Sequence, residues 1–112
     1  MAYAGPSEAA SSGWLHPSDM HRFSHQMSAR NMMPVRIACR GDSRTSHVRD
    51  SMQMNITFAP NTRGRQWRWV WGSNYASTKR QLERAGWKLV SSSGFTRPHT
   101  GLRVPCGIFH GP

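Results

Sequence analysis

The chain reads as α+β: a small antiparallel sheet with one or two short helices and extended terminal arms. Three observations predict this. Trp67, Trp69 and Trp71 alternate with Arg68 and Val70, which puts three indoles on one face of a strand. Met52, Met54, Ile56 and Phe58 alternate with Gln53, Asn55 and Thr57 in the same way. After Gly72 the period changes to that of a helix, and Gly86 stands where a left-handed C-terminal cap is needed.

Taken in order, residues 1–13 are small and polar and read as a flexible N-terminal arm. A single α+β domain follows over residues 14–91. Pro17-Ser18-Asp19 resembles a helix start with Ser18 as cap, and Met20, Phe23 and Met27 recur at helical spacing to about Ala29. Pro34 breaks that pattern, after which Val35, Ile37 and Cys39 alternate with Arg36, Ala38 and Arg40 as a half-buried strand. Residues 43–50 are polar and read as a loop. Pro60 to Gly64 supplies turn chemistry, so Met52–Phe58 and Gln66–Trp71 are expected to pair as a hairpin. Ser73 or Asn74 can cap the second helix, whose inward stripe is Tyr75, Thr78, Leu82 and Ala85 and whose expected seat is the Trp face. Trp87 to Val90 reads as a last short strand, joined to Trp71 by a connection long enough for a right-handed parallel crossover, with an antiparallel placement as the alternative. Residues 92–112 show no period and are rich in Gly, Pro and Ser. They read as an extended C-terminal tail anchored by Phe95, Leu102, Val104, Ile108 and Phe109.

The 112 residues suit one domain. The apolar share is 37% without Gly, against a globular norm of about 45–50% that counts Gly as well. The core is therefore expected to be modest and to depend on five Trp, four Phe and seven Met for its volume. Fifteen Lys and Arg face five acids, for a net charge of +10; only Lys79 and Lys88 are lysines, so thirteen are Arg. Arginine suits bidentate contacts to phosphate or carboxylate, which points to nucleic acid, an acidic protein surface or anionic lipid. Cys39 and Cys106 can form one bridge or remain two buried free thiols, and the thiols are the expected state. No signal-peptide pattern and no stretch of membrane-spanning length is visible, so the expected setting is a virion or the cytoplasm.

The acids Glu8, Asp19, Asp42, Asp50 and Glu83 form no carboxylate pair, and the chain carries no GxSxG, P-loop or GxGxxG, so no enzyme and no cofactor is expected. His21 and His25 lie four apart on the first helix with His16 nearby, yet without a CxxC they read as solvated histidines rather than zinc ligands. The Trp stripe has two readings. Trp interleaved with Arg can stack on unpaired bases, but three indoles exposed together would make a large apolar patch on so small a body. The core reading is preferred, with Arg68 on the wetter face.

The candidate binding residues fall into three groups. Arg36 and Arg40, with Arg44 and Arg49, surround the first strand and its loop. Arg63, Arg65 and Arg68 surround the expected hairpin. Lys79, Arg80 and Arg84, with Lys88, surround the second helix. On one face they would suit backbone phosphates.

The run Trp67 to Val70, then a polar helix, then Leu82 to Val90 with Gly86-Trp87, resembles a motif of small proteins encoded by tailed bacteriophages. There an Arg/Trp-rich strand and a short helix precede a Gly-aromatic strand. The resemblance is confined to residues 67–90, and the helix here is basic where such helices are often acidic. It implies a small virion component or accessory protein and carries over no binding residues.

The expected function is a non-enzymatic structural component of a virion or nucleoprotein assembly, ordered by neighbouring subunits and holding nucleic acid or an acidic protein surface through Arg. The alternatives are a free-standing nucleic-acid-binding protein and a phage-encoded inhibitor of a host protein.

Overall fold

The computed structural model describes residues 9–42, 52–98 and 100–112. Along the chain these form β1 (Ala10–Ser11), α1 (Pro17–Ala29), β2 (Met32–Gly41), β3 (Met52–Pro60), β4 (Trp67–Trp71), α2 (Tyr75–Arg84), β5 (Lys88–Thr96) and β6 (Arg103–His110). Two helices and two antiparallel three-stranded sheets make the fold α+β. Sheet A has the order β1-β3-β2 and sheet B the order β4-β6-β5.

The two sheets share one core. In sheet A the inward row is Phe58, Ile56, Met54 and Met52 on β3 beside Pro34, Ile37 and Cys39 on β2, as the β-period requires. A bulge at Val35 lets Pro34 and Ile37 both face inward, because it separates the registers Pro34↔Phe58 and Arg36↔Thr57. In sheet B the row Trp67, Trp69 and Trp71 lies beside His110, Ile108 and Cys106. Met20 and Met27 of α1 complete this cluster, with Phe23 and the three indoles packed against it.

The helices are set by their ends. Pro17 takes the first position of α1, where its missing N–H costs nothing, and His16 is the N-cap without a side-chain bond. Ser18, expected as the cap, thus lies inside the helix. Asn31 follows α1 at φ 59 and donates its N–H to the Ser28 carbonyl. Gly86 follows α2 at φ 91, and Trp87 N–H reaches the Leu82 carbonyl at 2.9 Å, a Schellman closure at the glycine the sequence singles out.

Four expectations are corrected. Met52–Phe58 and Gln66–Trp71 do not form a hairpin: β3 pairs with β2 and β1 in sheet A, and β4 pairs with β6 in sheet B. The chain leaves one sheet and enters the other because the Trp face has to meet the core that β3 already lines. The segment 92–112 is no tail, since it continues β5 and supplies β6, the central strand of sheet B, with Cys106, Ile108 and Phe109 fully buried. The second helix does not sit on the Trp face. Tyr75, Leu82 and Trp87 pack with Val70, Phe109 and Leu89 on the opposite side of sheet B. Cys39 and Cys106 are not free thiols but a disulfide between β2 and β6, with Cα atoms 6.7 Å apart. At the N-terminus, β1 draws residues 10–11 onto β3, while the rest of the expected arm over residues 1–8 lies outside the described residues.

The strands β4 and β5 both run antiparallel to β6, so they run parallel to each other with β6 between them. The crossover through α2 is therefore parallel, as its length allows, but split by a third strand.

Candidate anionic-partner interface

The sequence-selected cations divide between two outer faces. Arg36 and Arg40 are exposed on the face of sheet A that turns away from the core. There the Arg40 guanidinium lies 4.0 Å from the centroid of the Trp14 ring, and its Nε donates to Gln53 Oε1 at 3.0 Å. Trp14 itself is exposed, so this is a cation–π pair at the surface. Arg44 and Arg49 lie outside the described residues.

The other face belongs to sheet B. Arg68 is exposed on the side of β4 that carries α2, and Arg80 and Arg84 stand one turn apart on the outward surface of that helix. Lys79 is half-buried and pairs with Glu83 at 3.1 Å, and Lys88 is exposed at the start of β5. Arg63 is exposed in the loop between β3 and β4. The structure brings Arg63, Arg65 and Arg68 into one neighbourhood at the loop and first residues of β4. It sets Arg36 and Arg40 apart from them, across the shared core.

Arg65 differs from the rest because its backbone is built into the loop. Asn61, itself buried, accepts the Arg65 N–H on Oδ1 and donates from Nδ2 to the Arg65 carbonyl, both at 2.9 Å. One guanidinium N–H donates to the Gly111 carbonyl at 3.3 Å. The Asn61 N–H in turn donates to the Asn31 carbonyl at 2.9 Å. This loop thus ties the end of α1, the start of β4 and the C-terminal residues together.

Beside it runs an open groove of about 570 Å³ lined by Ser28, Asn31, Arg65, Gln66, Trp67 and Trp87, among others. Sequence reasoning singled out Arg65 and selected Trp67 for the core, but missed the amides. The signal available was Asn31 just past a helix end, a position that favours Asn or Gly.

Charge balance follows from the ion pairs. Among the described residues Asp19 pairs with Arg22, Asp42 with His16 at 2.8 Å, and Glu83 with Lys79. None of these pairs draws on Arg36, Arg40, Arg63, Arg65, Arg68, Arg80 or Arg84.

Two of the histidines expected near the first helix have contacts of their own. His16 holds Asp42, while the His21 ring packs on Trp69 with centroids 4.5 Å apart. The indoles are half-buried, and Trp69 Nε1 donates to Ser24 Oγ at 2.9 Å. That geometry makes the Trp stripe part of the core. No helix among the described residues is long and apolar enough to cross a membrane. No known family model, curated protein or solved structure matches this chain.

Proposed function

We propose that this protein is a non-enzymatic structural and binding component of a virion or nucleoprotein assembly, which it joins by holding an anionic partner through arginine. One observation carries the reading: Asp19, Asp42 and Glu83 pair with Arg22, His16 and Lys79, while Arg63, Arg68, Arg80 and Arg84 stand exposed without an acidic partner among the described residues. Guanidinium groups left in this state on a +10 chain form an electrostatic footprint for phosphate or carboxylate. The resemblance of residues 67–90 to small tailed-phage proteins supports a virion as the assembly.

Binding of a generic nucleic acid and of polyglutamate, each followed across a salt series, tests this. Counterion release predicts an affinity that falls with log salt in proportion to the number of phosphates neutralised. Replacing Arg63, Arg68, Arg80 and Arg84 together by Glu is expected to leave the fold intact and abolish association. Unchanged affinity in that variant, or no binding to either polyanion at low salt, would overturn the proposal.

A further inference from the structure

We infer that the groove beside the Asn61–Gln66 loop is the seat of a single-stranded nucleic-acid segment, with bases against Trp67 and Trp87 and phosphates on Arg63 and Arg65. This rests on the polyanion reading above and names both the partner and the place.

The argument begins with the two indoles. Each is half-buried and anchored on its inner side. Trp67 meets Phe58 edge-on with centroids 6.1 Å apart, and Trp87 packs with Val70, Leu82 and Phe109. Both also line the groove. An aromatic ring already fixed by the core loses little side-chain entropy on stacking, and base stacking tolerates any sequence because every base has a π-face.

Phosphate contacts come next. Arg65 spends one guanidinium N–H on Gly111, and its backbone is clamped by Asn61, so the rest of its fork is held at the groove rather than swept through solvent. Arg63 is exposed on the same loop. Among the described residues no carboxylate lines the groove, and the sequence has none from residue 51 to residue 82.

The remaining wall is neutral and polar. Asn31, Gln66 and Ser28 offer both donors and acceptors, the chemistry needed along a base edge. An acidic peptide would satisfy the arginines and could pair its backbone with the amides, but its carboxylate side chains offer no flat π-face to the two indoles. A duplex would keep its bases stacked within itself and out of reach of Trp67 and Trp87.

Indole Nε1–H resonances of the intact 15N-labelled protein, titrated with an oligothymidylate at low salt, decide the matter. The Trp67 and Trp87 signals are expected to shift, while Trp69, whose Nε1–H is bonded to Ser24, stays in place. Arg65→Ala is expected to weaken binding roughly tenfold, the scale of one hydrogen bond to a charged group. Gln66→Glu adds a negative charge at an exposed position and should weaken it without touching the core, which guards against a folding defect in the first variant. Gln26→Glu, the same charge change at an exposed position of α1 away from the groove, is expected to leave affinity unchanged.

Oligonucleotide binding that shifts Trp14 and the outer face of sheet A instead, indifferent to Gln66→Glu, would overturn this inference and leave the polyanion reading standing. Polyglutamate moving Trp67 and Trp87 where the oligonucleotide does not would overturn the nucleic-acid occupant in favour of an acidic protein. Silence with both ligands would remove the inference and the reading together.

Discussion

Gly107 shows how one missing side chain seats a helix. It lies in the centre of sheet B, and a Cβ there would come within 2.9 Å of the Tyr75 ring and 3.0 Å of Leu89 Cδ1. The phenol of Tyr75 therefore rests on bare backbone, and Gly107→Ala should push it off, costing about 1–3 kcal/mol as overpacking does, read from a denaturant midpoint. Burial in that position raises the Tyr75 hydroxyl above its ordinary pKa, with Lys79 opposing the shift and Glu83 adding to it. A raised folded value means that the folded state holds the proton after the unfolded chain has lost it. Tyr75 thus contributes stability that is complete below the ordinary tyrosine pKa and is lost as pH climbs through the raised one. Tyr75→Phe should accordingly flatten the alkaline fall in stability, and an identical fall in both proteins would show that Tyr75 does not drive it. On the other face, Trp69→Ala removes a core ring and its bond to Ser24, with an expected cost of about 3 kcal/mol.

Where elements meet, the seam between β2 and β5 decides the architecture. The two strands belong to different sheets, and the outer edge of β2 would be left with unpaired N–H groups. Serines fill that need: Ser91 Oγ accepts the Ile37 N–H at 3.1 Å and Ser93 Oγ accepts the Cys39 N–H at 3.4 Å. The bulge at Val90 turns Ser91 and Ser93 toward β2 while Leu89 stays under α2. A serine run at the junction of the expected domain and tail is thus an edge cover. Ser91→Ala should expose a part-buried donor and cost about 1 kcal/mol, with faster hydrogen exchange at Ile37 as its local signature. The same seam explains what the sequence could tell. Alternation marked β3 because its apolar row fills one face, and β4 because its Trp row faces the core while exposed Arg68 stands between two of the indoles on the other side. Gly86 marked the end of α2 because only one backbone shape closes it. The strand β6 escaped notice because it is central: Cys106, Gly107, Ile108 and Phe109 are buried in succession, so both faces are covered and alternation disappears. Pairing was misread for a related reason. A turn of suitable residues between alternating runs favours a hairpin locally, but the Trp face and the β3 core row had to face each other rather than lie in one sheet.

Over the molecule as a whole, charge was legible and its layout was not. The cations could be named from the sequence, yet their division between the outer faces of sheets A and B follows from long-range pairing of β6, which no local pattern carries. The same pairing brings Cys106 opposite Cys39. Their disulfide joins the two sheets through a sequence separation of 67, alongside the serine contacts of the β2–β5 seam. Closing a loop of that length removes much of the freedom of the unfolded chain, worth about 4 kcal/mol by the chain-entropy relation. Both sulfurs belong to buried residues, Cys106 at 0% exposure and Cys39 at 6%, so reductant should act chiefly on opened molecules. The oxidised protein is expected to keep its bridge in mild reductant and to lose it in the presence of urea. After reduction the urea midpoint should fall by the equivalent of that loop term, with sheets A and B held to each other by packing and by hydrogen bonds such as those of Ser91, Ser93 and His110. Equal midpoints for the reduced and oxidised chains would mean that the shared core, and not the covalent link, holds the sheets together.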